Sequence, residues 1–77
     1  MKKQFFKNYE DAYVFLVRFD YTVWEEQDRK TCGKNYPSYL GYYKFIIFSD
    51  DGVCCLRTNN KCDVINWAND LKRAMEE

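Results

Sequence analysis

Four cysteines are the residues of this sequence that first suggest chemistry. Cysteine-based zinc sites usually contain closely spaced pairs such as Cys-x-x-Cys, and the chain has no such pair and no histidine. Cys54 and Cys55 are adjacent in an expected strand, so their side chains should point to opposite faces of a sheet. Together with Cys32 and Cys62, they predict neither a metal site nor a structural disulfide, and no other cofactor is indicated.

Catalytic residue combinations are equally scarce. Without histidine, the chain cannot build a Ser-His or Cys-His nucleophile pair. Its glycines, Gly33, Gly41 and Gly52, are scattered and form no phosphate-binding loop. Paired carboxylates such as Asp50 and Asp51 fall in expected turns, where they are usually solvated. The sequence therefore predicts a protein that is not an enzyme.

The clearest structural signal is a β-hairpin over residues 39–58. Asp51-Gly52 lies between two apolar runs, and a two-residue turn with positive φ angles favours this dipeptide. Such a turn sets the strand register and leaves one sheet face for the core. The predicted cross-strand pairs are Phe48–Cys55, Ile47–Leu56, Ile46–Arg57 and Phe45–Thr58.

The remaining elements follow from composition and periodicity. Residues 12–24 are rich in β-branched and aromatic side chains and predict a long strand. Residues 25–38 are polar and predict a long loop, whereas residues 1–11 fit a short helix or an extended arm. A helix is predicted to begin after Asn60, because apolar residues then recur at helical spacing. Those residues are Val64, Trp67, Ala68, Leu71, Ala74 and Met75.

These elements predict a single α+β domain over residues 1–77. Its three strands should form an antiparallel meander, with the C-terminal helix packed on one face and a short N-terminal helix or arm that packs its aromatic residues onto the sheet. A two-layer arrangement of this kind buries the apolar side of both the sheet and the helix.

Charge distribution and targeting signals limit the classes of function and the locations that fit the sequence. The chain carries twelve Lys and Arg against twelve Asp and Glu, with no basic block, so direct nucleic-acid binding is the weaker expectation. Lys2-Lys3 is not followed by the apolar region of a signal peptide, and no apolar run is long enough to span a membrane. We therefore expect a cytoplasmic protein without a membrane partner.

The sheet face opposite the helix is the predicted binding site. It combines aromatic and arginine side chains, which are enriched at the centres of protein interfaces. The polar loop would add further residues at its edge. The predicted site residues are Arg18, Trp24, Tyr42, Lys44, Ile46, Phe48 and Arg57 on the face, with Arg29, Lys30 and Tyr36 on the loop.

An apolar face of this composition should be covered. Three coverings compete: the N-terminal arm through Phe5 and Phe6, a second copy of the chain, or a different protein. The first would be internal packing, and the other two would be functional interfaces.

The resulting functional hypothesis is a small, non-enzymatic module that binds stoichiometrically and occludes a larger protein or protein–nucleic-acid complex. Compact inhibitors of host defence made by phages or mobile elements, of the anti-CRISPR or anti-restriction type, are one class of such proteins. A nucleic-acid-binding accessory protein that uses its aromatic sheet face is the first alternative. A structural homodimer is the second.

Overall fold

The computed structural model describes residues 4–76 and shows an α+β fold around one three-stranded antiparallel sheet. Strands adjacent in sequence are neighbours in the sheet, so the predicted meander is confirmed, as is the C-terminal helix. Two further helices flank the first strand. The elements are α1 (Tyr9–Arg18), β1 (Thr22–Glu25), α2 (Glu26–Cys32), β2 (Phe45–Phe48), β3 (Cys54–Thr58) and α3 (Lys61–Glu76), with short 3-10 turns at Gly33–Asn35 and Ser38–Leu40.

The predicted strand over residues 12–24 is wrong for most of its length, because helix α1 occupies its first half. Almost every residue there is apolar, so strand alternation and helical periodicity fit equally well. The cap decides between them: the Asn8 side chain accepts a hydrogen bond from the Asp11 backbone N–H at 2.9 Å. Phe15 and Leu16 then fall on the buried side of the helix.

Helix α1 ends in a turn that returns the chain to the sheet. Asp20 has a positive φ of 67°. Its N–H donates to the carbonyl of Val17 at 3.1 Å, and the Tyr21 N–H donates to the carbonyl of Leu16 at 2.9 Å. This pair of bonds is a Schellman motif, in which aspartate takes the left-handed position that glycine usually occupies. Only the residues after this turn form a strand.

The predicted loop over residues 25–38 is also wrong in its first half, which forms helix α2. This helix buries none of its residues, so it has no apolar stripe for periodicity to detect. Its charges supply the missed signal: Glu26 pairs with Arg29 at 3.9 Å and with Lys30 at 3.6 Å. Such pairs at three- and four-residue spacing stabilise exposed helices.

The predicted hairpin is present over residues 45–58, but residues 39–44, which were predicted to belong to its first strand, are not a strand: a 3-10 turn occupies Ser38–Leu40. The tip differs from the prediction by one residue. The Ser49 N–H donates to the Val53 carbonyl at 2.9 Å, and Gly52 has a φ of 84°. The loop therefore has three residues instead of two, and a bulge places Phe48 opposite Cys54 rather than its predicted partner. The confirmed pairs are Ile47–Leu56, Ile46–Arg57 and Phe45–Thr58.

Helix α3 begins after Asn60, as predicted. Val64 and Ala68 on its apolar stripe are fully buried, and Trp67 meets the ring of Tyr21 edge-on at a centroid distance of 5.3 Å. In the described part of the chain, no helix combines the length and the hydropathy needed to cross a membrane. The core between the helices and the sheet consists of Ala12, Phe15, Leu16, Val23, Phe45, Ile47, Val64 and Ala68.

A buried amide on α3 fastens the N-terminal segment. Asn69 is 3% exposed, and its Oδ1 accepts hydrogen bonds from the N–H groups of Phe5 at 2.6 Å and Phe6 at 2.9 Å. Its Nδ2 donates to the carbonyls of Phe6 at 3.1 Å and Ile65 at 3.0 Å. The Phe6 ring lies 4.8 Å from that of Phe15.

This N-terminal segment lies on the helix side of the sheet. Of the stretch predicted as a helix or an arm, residues 4–8 form an arm and α1 begins at Tyr9, whereas residues 1–3 lie outside the described part. Because the arm packs on α1 and α3, it does not cover the opposite sheet face. That role of Phe5 and Phe6 is therefore excluded.

Tyr9 should make the fold sensitive to alkaline pH. Its ring packs against Phe45 at a centroid distance of 5.3 Å. Burial raises the pKa of the Tyr9 phenol above its ordinary value, and the negative charge of Glu25 raises this pKa further. Above about pH 10 the unfolded chain releases the proton that the folded chain retains, so stability falls as the pH rises.

We therefore expect Tyr9→Phe to remove part of this alkaline loss. Urea unfolding at a series of pH values from neutral to strongly alkaline measures it. The control is Tyr39→Phe, which deletes a hydroxyl from a side chain that is 78% exposed. Parallel stability curves for the wild type and the Tyr9→Phe variant above pH 10 would contradict the prediction.

Candidate functional site

The sheet face opposite the helices is covered by the chain itself, through residues 36–43. We call these residues the covering segment. Leu40 in this segment is 2% exposed, and Ile46 on the sheet is 1% exposed, although neither belongs to the core on the helix side. Arg57 holds the segment: its Nη1 donates to the carbonyls of Tyr39 and Leu40, both at 3.3 Å. Ile46 therefore lies beneath the surface and offers no contact to a partner.

A row of rings crosses this face. The ring of Phe48 meets that of Trp24 at 5.0 Å, Trp24 meets Tyr36 at 6.1 Å, and Tyr36 stacks on Tyr42 at 6.1 Å. We call these four residues the aromatic row. The guanidinium of Arg29 lies over the Tyr42 ring at 5.4 Å. These five predicted site residues thus come together from two strands, helix α2 and the covering segment.

Hydrogen bonds hold the aromatic row in place. The Tyr36 hydroxyl donates to the carbonyl of Gly41 at 2.6 Å, and Arg29 donates to the carbonyl of Tyr43 at 3.1 Å. Burial raises the pKa of the Tyr36 phenol, so this donor stays protonated. Gly41 has a φ of 76°, and a Cβ there would lie 3.0 Å from the Tyr43 ring. A side chain at position 41 would therefore disturb the segment.

Tyr39 and Tyr42 are the most accessible parts of this face, each 78% exposed. Tyr39 forms a ridge between two hollows, because it lines both. The larger hollow, of about 570 Å³, runs beside residues 54–57 of β3 and is also lined by Tyr43. The smaller hollow, of about 340 Å³, lies over Trp24 and Phe48.

The other predicted site residues lie apart from this surface. Arg18 is exposed at the end of α1, on the helix side of the sheet. Lys44 lies in a separate hollow that it shares with Glu25 and Glu26. Lys30 is on the outer side of α2, in its ion pair with Glu26. The sequence alone could not separate these three residues from the aromatic row, because their positions depend on where α1 and α2 lie in the fold.

Sequence reasoning missed the covering segment. Tyr39 and Leu40 stand between Pro37 and Gly41, and such a short apolar pair between two turn residues was the available signal. Such a pair indicates that the connection folds back onto the protein and buries a side chain against it.

The charged residues around the site differ in whether they form ion pairs. Glu26 pairs with both Arg29 and Lys30. Arg57, in contrast, forms no ion pair with any carboxylate of residues 4–76. At the hairpin tip, a hydrogen bond from the Ser49 hydroxyl lowers the pKa of the Asp51 carboxyl, which favours its negative charge.

The thiols do not assemble into a reactive group. The four cysteines are free, and the described residues contain no cluster of three Cys, Asp or Glu side chains that could hold a metal ion. Cys54 and Cys55 both line the larger hollow. Burial raises the pKa of the Cys55 thiol, which disfavours the nucleophilic thiolate.

Comparisons with protein-family models, characterised proteins and solved structures give no match to this chain. The aromatic row with the Tyr39 ridge carries the two most exposed aromatic side chains of the described residues, Tyr39 and Tyr42.

Proposed function

We propose that this chain is a small protein-binding module that acts stoichiometrically and without catalysis. The observation that carries the proposal is the pair of tyrosines, Tyr39 and Tyr42, that stand 78% exposed on a segment fixed by hydrogen bonds. Tyrosine supplies a large, rigid contact area together with a polar hydroxyl, which is why it is enriched among interface hot spots. A fixed segment also loses little entropy on binding.

The shape of the surface supports a protein partner. Tyr39 projects between two hollows, so a partner can receive the ridge and fill the hollows with its own side chains. Such a contact would occlude part of a larger protein or protein–nucleic-acid complex. We extend the proposal to inhibitors of host defence from phages or mobile elements, because they are small proteins that act by occlusion.

The charges favour a protein over a nucleic acid. A single-stranded nucleic acid needs stacking rings together with cations for its phosphates. Here Glu26 already pairs with Arg29 and Lys30, and Asp50 lies beside the smaller hollow. Phosphates near the aromatic row would therefore meet ion-paired cations and carboxylates. Arg57, which has no ion pair within residues 4–76, is one charge where a phosphate backbone needs several.

We expect Tyr39→Ala and Tyr42→Ala each to weaken partner binding by about 30-fold or more, the usual effect at a hot spot. Because both side chains are mostly exposed, the melting temperature should hardly change. Affinity capture from host lysate, with and without nuclease, identifies the partner, and titration of the purified partner measures the affinity.

The controls are Arg18→Gln and Lys44→Gln, which change exposed cations outside the aromatic row. They should leave partner binding unchanged. Equal losses in all four variants would contradict the site. Loss of all captured material after nuclease treatment would instead favour the nucleic-acid alternative, and a melting temperature that rises with chain concentration would favour the homodimer.

A further inference from the structure

The outer edge of β3 is open to another strand. Because the strand order is β1-β2-β3, β3 has a strand neighbour on one side only. On the other side, alternate residues of an edge strand direct their N–H and C=O groups outward. Apart from the ladder with β2, the backbone of residues 54–57 has no hydrogen bond with the described residues. These groups can therefore pair with an extended peptide.

The larger hollow follows this edge. It is lined by four consecutive residues of β3, Cys54–Arg57. Successive side chains of a strand point to opposite faces, so a hollow that touches four in a row runs alongside the strand rather than over one face. Tyr39 and Tyr43 form its other wall. The space is thus placed where an added strand would lie.

Arg57 gives this hollow a fixed positive charge. Its Nη1 donates to the carbonyls of Tyr39 and Leu40, and its guanidinium lies 5.5 Å from the centre of the Tyr43 ring. The residue is exposed and pairs with no carboxylate of the described chain. A planar guanidinium held in this way is suited to a carboxylate that arrives from outside.

We propose that the larger hollow binds an extended acidic segment of the partner, which adds to β3 as a fourth strand and places a carboxylate on Arg57. This inference rests on the proposed function and names the chemistry of its partner. A second copy fits less well through the same edge. The β3 sequence, Cys-Cys-Leu-Arg-Thr, carries no carboxylate, so each Arg57 would meet a strand without an anion.

A displayed library of random peptides of about eight residues, a usual strand length, tests the recognition. Peptides selected on the wild-type chain should be enriched in Asp or Glu. Arg57→Gln should weaken the selected peptides by about tenfold or more and abolish the acidic enrichment. Lys30→Gln, which removes an ion-paired cation of α2, should change neither. Failure to select acidic peptides, or equal effects of both variants, would overturn the inference.

Amide hydrogen exchange on the wild-type chain tests the strand addition without any substitution. A selected peptide should slow the exchange of alternate amides within residues 54–58, and a peptide variant with proline at its centre should lose this protection. Protection confined to α2 or α3 would overturn the inference. So would a concentration-dependent dimer that blocks the peptide, because a second copy would then occupy the edge.

The outcomes separate this inference from the function on which it rests. If Tyr39→Ala abolishes binding of the captured partner while Arg57→Gln has no effect, the proposed binding surface is supported and the proposed acidic strand on β3 is ruled out. If acidic peptides bind along β3 but no partner depends on Tyr39 or Tyr42 for binding, the peptide site at the β3 edge is supported and the proposed role of the aromatic row in partner binding is ruled out.

Discussion

Replacing Asn69 with alanine is expected to lower the free energy of unfolding by about 2–4 kcal/mol. The side chain is 3% exposed and makes four hydrogen bonds, three of them to the backbone of Phe5 and Phe6. Alanine leaves these backbone groups without their partner. If the arm stays in place it loses these hydrogen bonds, and if it detaches it exposes the Phe6 ring, so either outcome is costly.

Urea unfolding followed by tyrosine and tryptophan fluorescence measures this loss. Asn66→Ala is the matched control, because Asn66 is an exposed asparagine on the same helix and should change stability by less than about 0.5 kcal/mol. Asn69→Asp should also destabilise the fold, since a carboxylate has no N–H for the carbonyls of Phe6 and Ile65. Similar stabilities of the Asn69 and Asn66 alanine variants would refute the anchoring role.

Replacing Leu40 with alanine is expected to cost about 2–5 kcal/mol, the range for a leucine removed from a buried site. Leu40 is 2% exposed and lies on the sheet face away from the main core. The cavity left behind would loosen the covering segment, which carries Tyr39. This variant should therefore lose both stability and partner binding.

Tyr39→Ala is the informative comparison, because it changes the neighbouring side chain, which is mostly exposed. It should lose binding and retain stability, as measured by titration of the partner and by thermal unfolding. If Leu40→Ala keeps both the native melting temperature and the affinity, the covering segment contributes neither to the fold nor to the site.

Local sequence patterns were sufficient to predict those elements whose pattern fits only one type of secondary structure. The Asp51-Gly52 turn fixed the body of the hairpin, and the apolar spacing after Asn60 fixed helix α3. The sequence could not reveal in the same way that residues 12–18 are helical, because an apolar run fits a strand as well. The Asn8 cap carried that information, and periodicity alone ignores caps.

The candidate site was predictable in composition but not in arrangement. Alternation along β1 and β2 placed Trp24 and Phe48 on one face, and the structure brings their rings into contact. That Ile46 is buried on the face away from the main core depends on the position of the covering segment, which tertiary packing sets. That Arg57 forms no ion pair with a carboxylate of residues 4–76 likewise depends on where those carboxylates lie, which no local pattern encodes.

The Asn69 anchor also orders events during synthesis. Asn69 follows Phe6 by 63 residues and lies on a helix that the ribosome makes after all three strands. Closing a loop of this length is slow, because the chain loses conformational entropy before the stabilising contact forms. We therefore expect the arm to dock on Asn69 only after α3 has been released. Until then we expect Phe5 and Phe6 to lack their hydrogen bonds to Asn69, which leaves an apolar segment of the kind that is prone to aggregation.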